Sequence, residues 1–306
     1  MEGVLLWNRM YRAVTEVGAV WSENVRRRGH PDDYSLGEIA ACWLWCAFQH
    51  KPLSVMTKRL ADERYRRAQR IMGFRLPPRC PHATTLRRRS LRQDFLLFLL
   101  VLSQWLIVLL APRTGTMLID STPQPVPFTS RDPDATWGHH ALRGYRLHTL
   151  TSADRIIMEW SVHGAHEHEL AVAPLLLRLA GAWGWRAEHL SGDVGYDSEA
   201  MHRDAREHLG ATMIAPFNHR GGRGVMTNTP LRRALRRSWN TPVVKSVRSL
   251  RSEIERMYSV LKSSLLGLSA LPPWVRGLAS VERWMHLKIL LYHAHLIVER
   301  TPLPCD

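Results

Sequence analysis

The chain has 306 residues, 45% of them hydrophobic, which is enough to bury a core in one large domain with a smaller one appended and excludes intrinsic disorder as its default state. Lys and Arg number 42 against 27 Asp and Glu, a formal net charge of +15, so a polyanion is the expected partner, nucleic acid first; a basic surface kept for solubility, ribosomes or anionic lipid is the alternative at this level. Cys42, Cys46, Cys80 and Cys305 form neither a CxxC pair nor a disulfide framework, which fits a reducing cytosol, and no secretory cleavage site follows the first apolar stretch.

The first third is predicted to be helical: Leu5 to Arg26, Ser35 to Gln49, Ser54 to Met72, and Thr84 to Leu110 after a Pro-rich break. Gly73 stands where a helix stops, and Thr84 or Thr85 suits an N-cap. Cys42 and Cys46, one turn apart in an apolar stretch, read as core packing. The apolar run Phe95 to Leu110 is interrupted by Ser103 and Gln104 and is shorter than the roughly 20 residues of a membrane span, so it reads as a buried helix. Arg64, Arg66, Arg67, Arg70, Arg87, Arg88 and Arg89 are compatible with a helix-turn-helix-like DNA-binding region and equally with a solvated face.

Pro112 to Thr114 punctuates the chain, and the period then changes from helix to strand. Strands are predicted at Thr116 to Ile119, Tyr145 to Leu150 and Ile156 to Val162, the last two joined by the turn Thr151 to Arg155. A helix from Glu169 to Trp183, a strand from Glu188 to Ser191, a helix from Ser198 to Leu209 and a strand from Ala211 to Ala215 follow. Three strands and then alternating helices and strands build an α/β mixed sheet with flanking helices, the order of the RNase H-like fold. The expected division is a helical region over 1–112 and a catalytic domain over 113–306 that includes a C-terminal helix from Val281 to Val298.

Three acids carry the chemical reading. Asp120 is placed where the first strand ends, beside the small residues Ser121 and Thr122, and Asp193 lies just past another strand in Gly192-Asp193-Val194-Gly195-Tyr196-Asp197. Either aspartate alone would read as a turn or cap residue; their matching placement at two strand ends argues for a shared site. Glu255 falls on one helical stripe with Arg251, Tyr258 and Lys262, beside an apolar stripe of Ile254, Met257, Leu261 and Leu265. A surface pair of Arg251 with Glu255 is the plain alternative. Two-metal phosphoryl transfer needs hard oxygen ligands converging on cations about 3.5 to 4 Å apart, and three carboxylates from separate elements meet that need. From His208 to Ser252 there is no acid at all, while Arg220, Arg223, Arg232, Arg233, Arg236, Arg237, Lys245 and Arg248 lead into the Glu255 helix as candidate DNA contacts.

These residues resemble the DDE transposases of bacterial insertion sequences, in which the last acid sits in an Arg-x3-Glu-x6-Lys motif, here Arg251, Glu255 and Lys262. Leu118-Ile119-Asp120-Ser121-Thr122, Arg143-Gly144-Tyr145-Arg146-Leu147-His148 and the Gly192 to Asp197 motif match the same group. The resemblance implies metal ligation by Asp120, Asp193 and Glu255, DNA contact by Arg251 and Lys262, and two Mg²⁺ ions, with Mn²⁺ as a substitute. It further implies cleavage of double-stranded DNA at element ends with strand transfer into a target, a homodimer on DNA in the bacterial cytoplasm, and no membrane or small-molecule cofactor. Arg248 stands where many relatives have Tyr, and the short interval between Asp193 and Glu255 leaves little room for the strand-rich insertion domain of some relatives. A silent DNA-binding descendant and a nuclease that cuts without joining are the alternatives. His163, His166 and His168 with Glu167 and Glu169 lack metal-ligand spacing and read as capping and solvent-facing residues at a helix start.

Overall fold

The computed structural model describes residues 1–24, 34–138, 141–217 and 229–301. They group into two compact units, one of Met1–Ala111, Ser263–Leu268 and Arg283–Asp306, the other of Pro112–Lys262 and Ser269–Glu282. The sequence division at Pro112 kept the C-terminal helix with the catalytic part; here that helix, from Arg283 on, groups with the first unit. Within that unit Lys288 Nζ donates to the Ala47 carbonyl at 2.6 Å, and His286 meets the Ser103 hydroxyl at 2.8 Å.

The first unit contains α1 (Glu2–Asn24), α2 (Leu36–Phe48), α3 (Leu53–Ala61), α4 (Glu63–Ile71), α5 (Ala83–Ser90) and α6 (Gln93–Leu110). Ser35 and Glu38 form a reciprocal capping box at the start of α2, satisfying two amide donors that helix geometry leaves unpaired. The single helix predicted from Ser54 to Met72 is two, because Asp62 takes an extended conformation and caps α4 by accepting from the Arg64 amide at 2.8 Å. Gly73 closes α4 at φ +89, a conformation that costs a residue with a Cβ roughly 1 kcal/mol or more. The helix predicted from Thr84 to Leu110 is also two, broken by extended Arg92, and His82 rather than Thr84 or Thr85 is the cap. Trp7, Trp45, Phe48 and Phe74 cluster in the core, with Trp7 and Trp45 edge to face at 4.6 Å. Buried Cys42 and Cys46 pack there as expected. The buried-helix reading of α6 holds for one face only: Phe95, Phe98, Leu102 and Leu106 are buried, while Leu97, Leu100, Val101 and Val108 are exposed. Among the described residues α6 is the one helix long and apolar enough to cross a membrane.

In the second unit β1 (Thr116–Pro125), β2 (Thr136–Trp137), β3 (Arg143–Ser152), β4 (Ile157–Gly164), β5 (His189–Ser191) and β6 (Thr212–Ile214) form one mixed sheet in the order β2-β3-β1-β5-β6, with β4 also paired to β3. β1, β3 and β4 run antiparallel, whereas β5 and β6 join parallel to β1, as crossovers through helices require. This is the RNase H-like mixed sheet the element order predicted. α7 (Glu169–Ala182) lays Ala173, Leu176, Leu177 and Ala180 against Met117, Ile119, Leu150, Leu190 and Met213 of the sheet. α8 (Glu199–Asp204) passes into a π turn at Ala205–Leu209, where one continuous helix was expected. α9 (Pro230–Ser238), α10 (Pro242–Ser249) and α11 (Arg251–Leu261) follow, and α12 (Leu278–Arg300) is longer than predicted at both ends.

Candidate active site

Parallel pairing of β1 with β5 stops at Leu118 opposite Ser191. Two residues beyond that last pair on each strand stand Asp120 and Asp193. Asp120 is therefore not at the end of its strand, as the sequence suggested, but inside β1, opposite Thr149 of β3. What ends beside it is β5, and the gap leaves the carboxylate room. Asp193 Oδ1 accepts the Gly195 amide at 2.7 Å and caps the tight turn Val194–Tyr196, while Asp120 Oδ1 accepts the Ser121 amide at 2.8 Å. Burial pushes Asp120 up to about 6; the Ser121 amide opposes this, the charge of Asp193 adds to it, Arg251 opposes and Glu169 adds again. The charge of Asp193 thus acts on Asp120, whose buried setting favours a proton or a cation.

α11 borders Asp120. Buried Tyr258 shares a hydrogen bond of 2.7 Å with Thr149, the residue opposite Asp120, and Lys262 Nζ donates to Thr122 Oγ1 at 2.6 Å. Burial and then Asp120 raise the Tyr258 hydroxyl far above the ordinary phenol value, so it stays protonated. Burial lowers Lys262, and Asp120 partly restores it. Arg251, Tyr258 and Lys262 of the predicted stripe are therefore at the site. Glu255 shares their stripe, but its side chain is exposed, and among the described residues nothing ties it to either aspartate.

A further acid is present that the sequence reading assigned to capping. His168 is the cap of α7, accepting from the Leu170 amide at 3.2 Å. Glu169 instead turns to the sheet, where its Oε1 accepts from the Ser121 hydroxyl at 2.8 Å and from Arg146 Nη1 at 2.7 Å. A Cβ on Gly195 would lie 2.7 Å from Glu169 Oε2 and 2.9 Å from Asp193 Oδ1, so the glycine is what lets the two carboxylates approach. The available signal was Arg146, a cation in the middle of a sheet strand that needed a partner.

The predicted DNA contacts divide. Arg232 is corrected: it is buried and forms a two-pronged pair with buried Asp197, Nε to Oδ1 at 2.9 Å and Nη2 to Oδ2, and so serves the fold. Arg233, Arg236 and Arg237 of α9 and Lys245 and Arg248 of α10 are exposed. Arg248, in the place many relatives give to Tyr, lies over the Trp239 ring at 4.1 Å, and Arg236 over Phe217 at 5.2 Å. Arg220, Arg223 and the glycines between them lie outside the described residues. His166 meets Thr136 Oγ1 at 2.9 Å and pairs with Glu167, and His163 packs edge-on against His148. Asp204, Glu207 and His208, on and before the π turn, bring ligand atoms within 4.8 Å of one another, but they include none of the predicted acids.

No curated protein and no solved structure matches the chain. The family described as the transposase DDE domain matches residues 112–293, which include both aspartates, Glu169 and all of α11. With the mixed sheet, the two aspartates at the β1–β5 divergence and the basic stripe of α11 on one domain, the chain belongs to the transposase DDE domain family, with a transposase-type role in DNA cleavage and transposition.

Proposed function

We propose that this protein cuts DNA at the ends of a bacterial insertion sequence and joins those ends to a target, using a divalent-cation site formed by Asp120, Asp193 and Glu255. The observation that supports the reading is the equal step of Asp120 and Asp193 past the last β1–β5 pair, at matching positions where two neighbouring strands part. Their donor atoms are hard oxygens, the set that suits Mg²⁺ and its substitute Mn²⁺. Burial first, and the charge of Asp193 after it, raise the proton affinity of Asp120, a cost that a cation would relieve. When bound, a pair of such ions would supply activation of the attacking hydroxyl and stabilisation of the leaving oxygen.

The chain's own side chains do the rest. Glu255, exposed on α11 and on the stripe of Arg251, Tyr258 and Lys262, would be the third ligand. Arg251 offers a planar fork and Lys262 a point charge to phosphates flanking the scissile bond. Arg233, Arg236, Arg237, Lys245 and Arg248 track the DNA backbone, so binding weakens with salt. The helical region to about Pro112 recognises the element end, and two copies on DNA bring two ends together.

The test is incubation of the purified full chain with Mg²⁺ and a duplex carrying the element's own end, followed by analysis for cut and joined strands. Asp120→Asn and Asp193→Asn are expected to lose both products and keep DNA binding. Cutting without joining would establish a nuclease instead. Binding with no cutting in Mg²⁺ or Mn²⁺ would establish a silent descendant. Cleavage retained by Glu255→Gln would remove that residue from the site.

A further inference from the structure

Resting on that reading, the geometry points to Glu169 as a fourth carboxylate of the cation site, supplying its Oε2 on the side of Asp193; we propose this as its role. An acid in the first turn of a helix is ordinarily there for the helix dipole, and an acid beside an arginine is ordinarily there for the ion pair. Neither accounts for the whole of Glu169. The cap of α7 is already His168. The pair with Arg146, and the bond from Ser121, both fall on Oε1. Oε2 is directed to the other side, where it and Asp193 Oδ1 both stand within 3 Å of the point at which a Gly195 Cβ would lie.

A second, independent observation points to the same place. Tyr196 is buried, its hydroxyl has no hydrogen-bond partner among the described residues, and the charges that act on it are Glu169 first, then Asp120, then Tyr258 and Asp193. A buried hydroxyl left unpaired amid three acids is costly in a protein interior, and the hydration shell of a bound divalent ion is the kind of partner it suits. Ser121 joins the two sides: it follows Asp120 in β1, donates its amide to Asp120 and its hydroxyl to Glu169. Arg146 in turn holds Oε1, which would leave Oε2 to serve a bound ion.

The experiment is Mn²⁺ binding to the full chain without DNA, by titration calorimetry and by the electron paramagnetic resonance of free Mn²⁺, with folding checked by circular dichroism. Glu169→Gln keeps an oxygen for Ser121 but removes the charge, and is expected to weaken Mn²⁺ binding roughly tenfold or more. Glu169→Asp keeps the charge and withdraws the oxygen by one methylene; it is expected to weaken binding too, and it stands in if the Gln variant does not fold. Asp120→Asn is the control. If Asp120→Asn weakens Mn²⁺ binding while the folded Glu169 variants bind as the parent does, Glu169 is no ligand and the metal reading survives without it. If the parent chain binds no Mn²⁺, the cation site fails as a whole and the proposal fails with it.

Discussion

Lys262 donates to the hydroxyl of Thr122 at 2.6 Å, which ties the last residue of the Arg-Glu-Lys motif to the strand that carries Asp120. Thr122 is buried, so the bond is shielded from water and orients a half-buried ammonium beside the site. Thr122→Val keeps the shape and removes the acceptor. It is expected to cost about 1 kcal/mol of stability, the usual net worth of such a bond. Lys262→Met is expected to lower DNA cleavage. A double-mutant cycle on the cleavage rate then checks the relationship: strictly additive effects would show that Thr122 does not position Lys262.

Gly195 lets two acids come together. In Gly195→Ala the new methyl would meet Glu169 Oε2 at 2.7 Å and Asp193 Oδ1 at 2.9 Å, distances that real Cβ atoms do not tolerate. The side chains must part. Misplacement of reacting groups by about 1 Å costs on the order of 10²-fold in rate, so cleavage is expected to drop by that much, while DNA binding by the exposed cations of α9 and α10 persists. Wild-type cleavage by folded Gly195→Ala would remove the close approach of Glu169 and Asp193 from the mechanism.

Arg232 and Arg233 are adjacent in sequence and opposite in role. Arg232→Ala leaves Asp197 buried without its guanidinium, a loss of roughly 3 to 5 kcal/mol when one partner of a buried pair is removed. Arg233→Ala lies on the exposed side of α9 and is expected to leave stability within about 0.5 kcal/mol of the parent. It should instead weaken DNA binding at all sequences and reduce the slope of affinity against salt by about one ion. Thermal unfolding and fluorescence anisotropy over a salt series separate the two; equal behaviour would undo the assignment.

The difference between these arginines shows what the sequence carries. Strand order was legible because apolar residues at 116–119, 145–150 and 156–162 keep a strand pattern, and the placement of Asp120 and Asp193 beside β1 and β5 followed from the motifs around them. The true length of β1 was not. After Asp120 come Ser121, Thr122, Pro123 and Pro125, which read as a loop; beyond Leu118 the strand is paired only on its β3 side, so it can hold prolines that a central strand would reject. Arg232 faces inward because it lies three residues before buried Leu235 on α9, but its partner Asp197 is 35 residues upstream, beyond any local pattern. Glu169 was hidden for the same reason, since Ser121, Arg146 and Gly195 reach it from three separate elements.

Lys288 makes stability depend on pH in the first unit. It is fully buried on α12, donates to the Ala47 carbonyl, lies 3.0 Å from His50 Nδ1 and stands over the Trp284 ring. Burial lowers it from 10.5 to about 7. His50 is itself lowered to about 4, by burial first and then by Lys288, so it stays neutral and its Nδ1 accepts a hydrogen bond from the lysine while its Nε2 faces the Leu265 carbonyl at 3.3 Å. Between pH 7 and 10 the unfolded chain therefore holds a proton on this lysine that the folded chain has released. Stability rises with pH wherever the unfolded state binds more protons, so it should climb from pH 7 to pH 9, by at most about 1.4 kcal/mol per pH unit. Below about 7 the cost of the buried charge is fully present and the contribution is flat. Lys288→Met removes the group. The difference between parent and variant in urea-unfolding free energy should grow in the parent's favour from pH 7 to pH 9, and a difference that stays constant would show that Lys288 remains charged in the folded protein throughout.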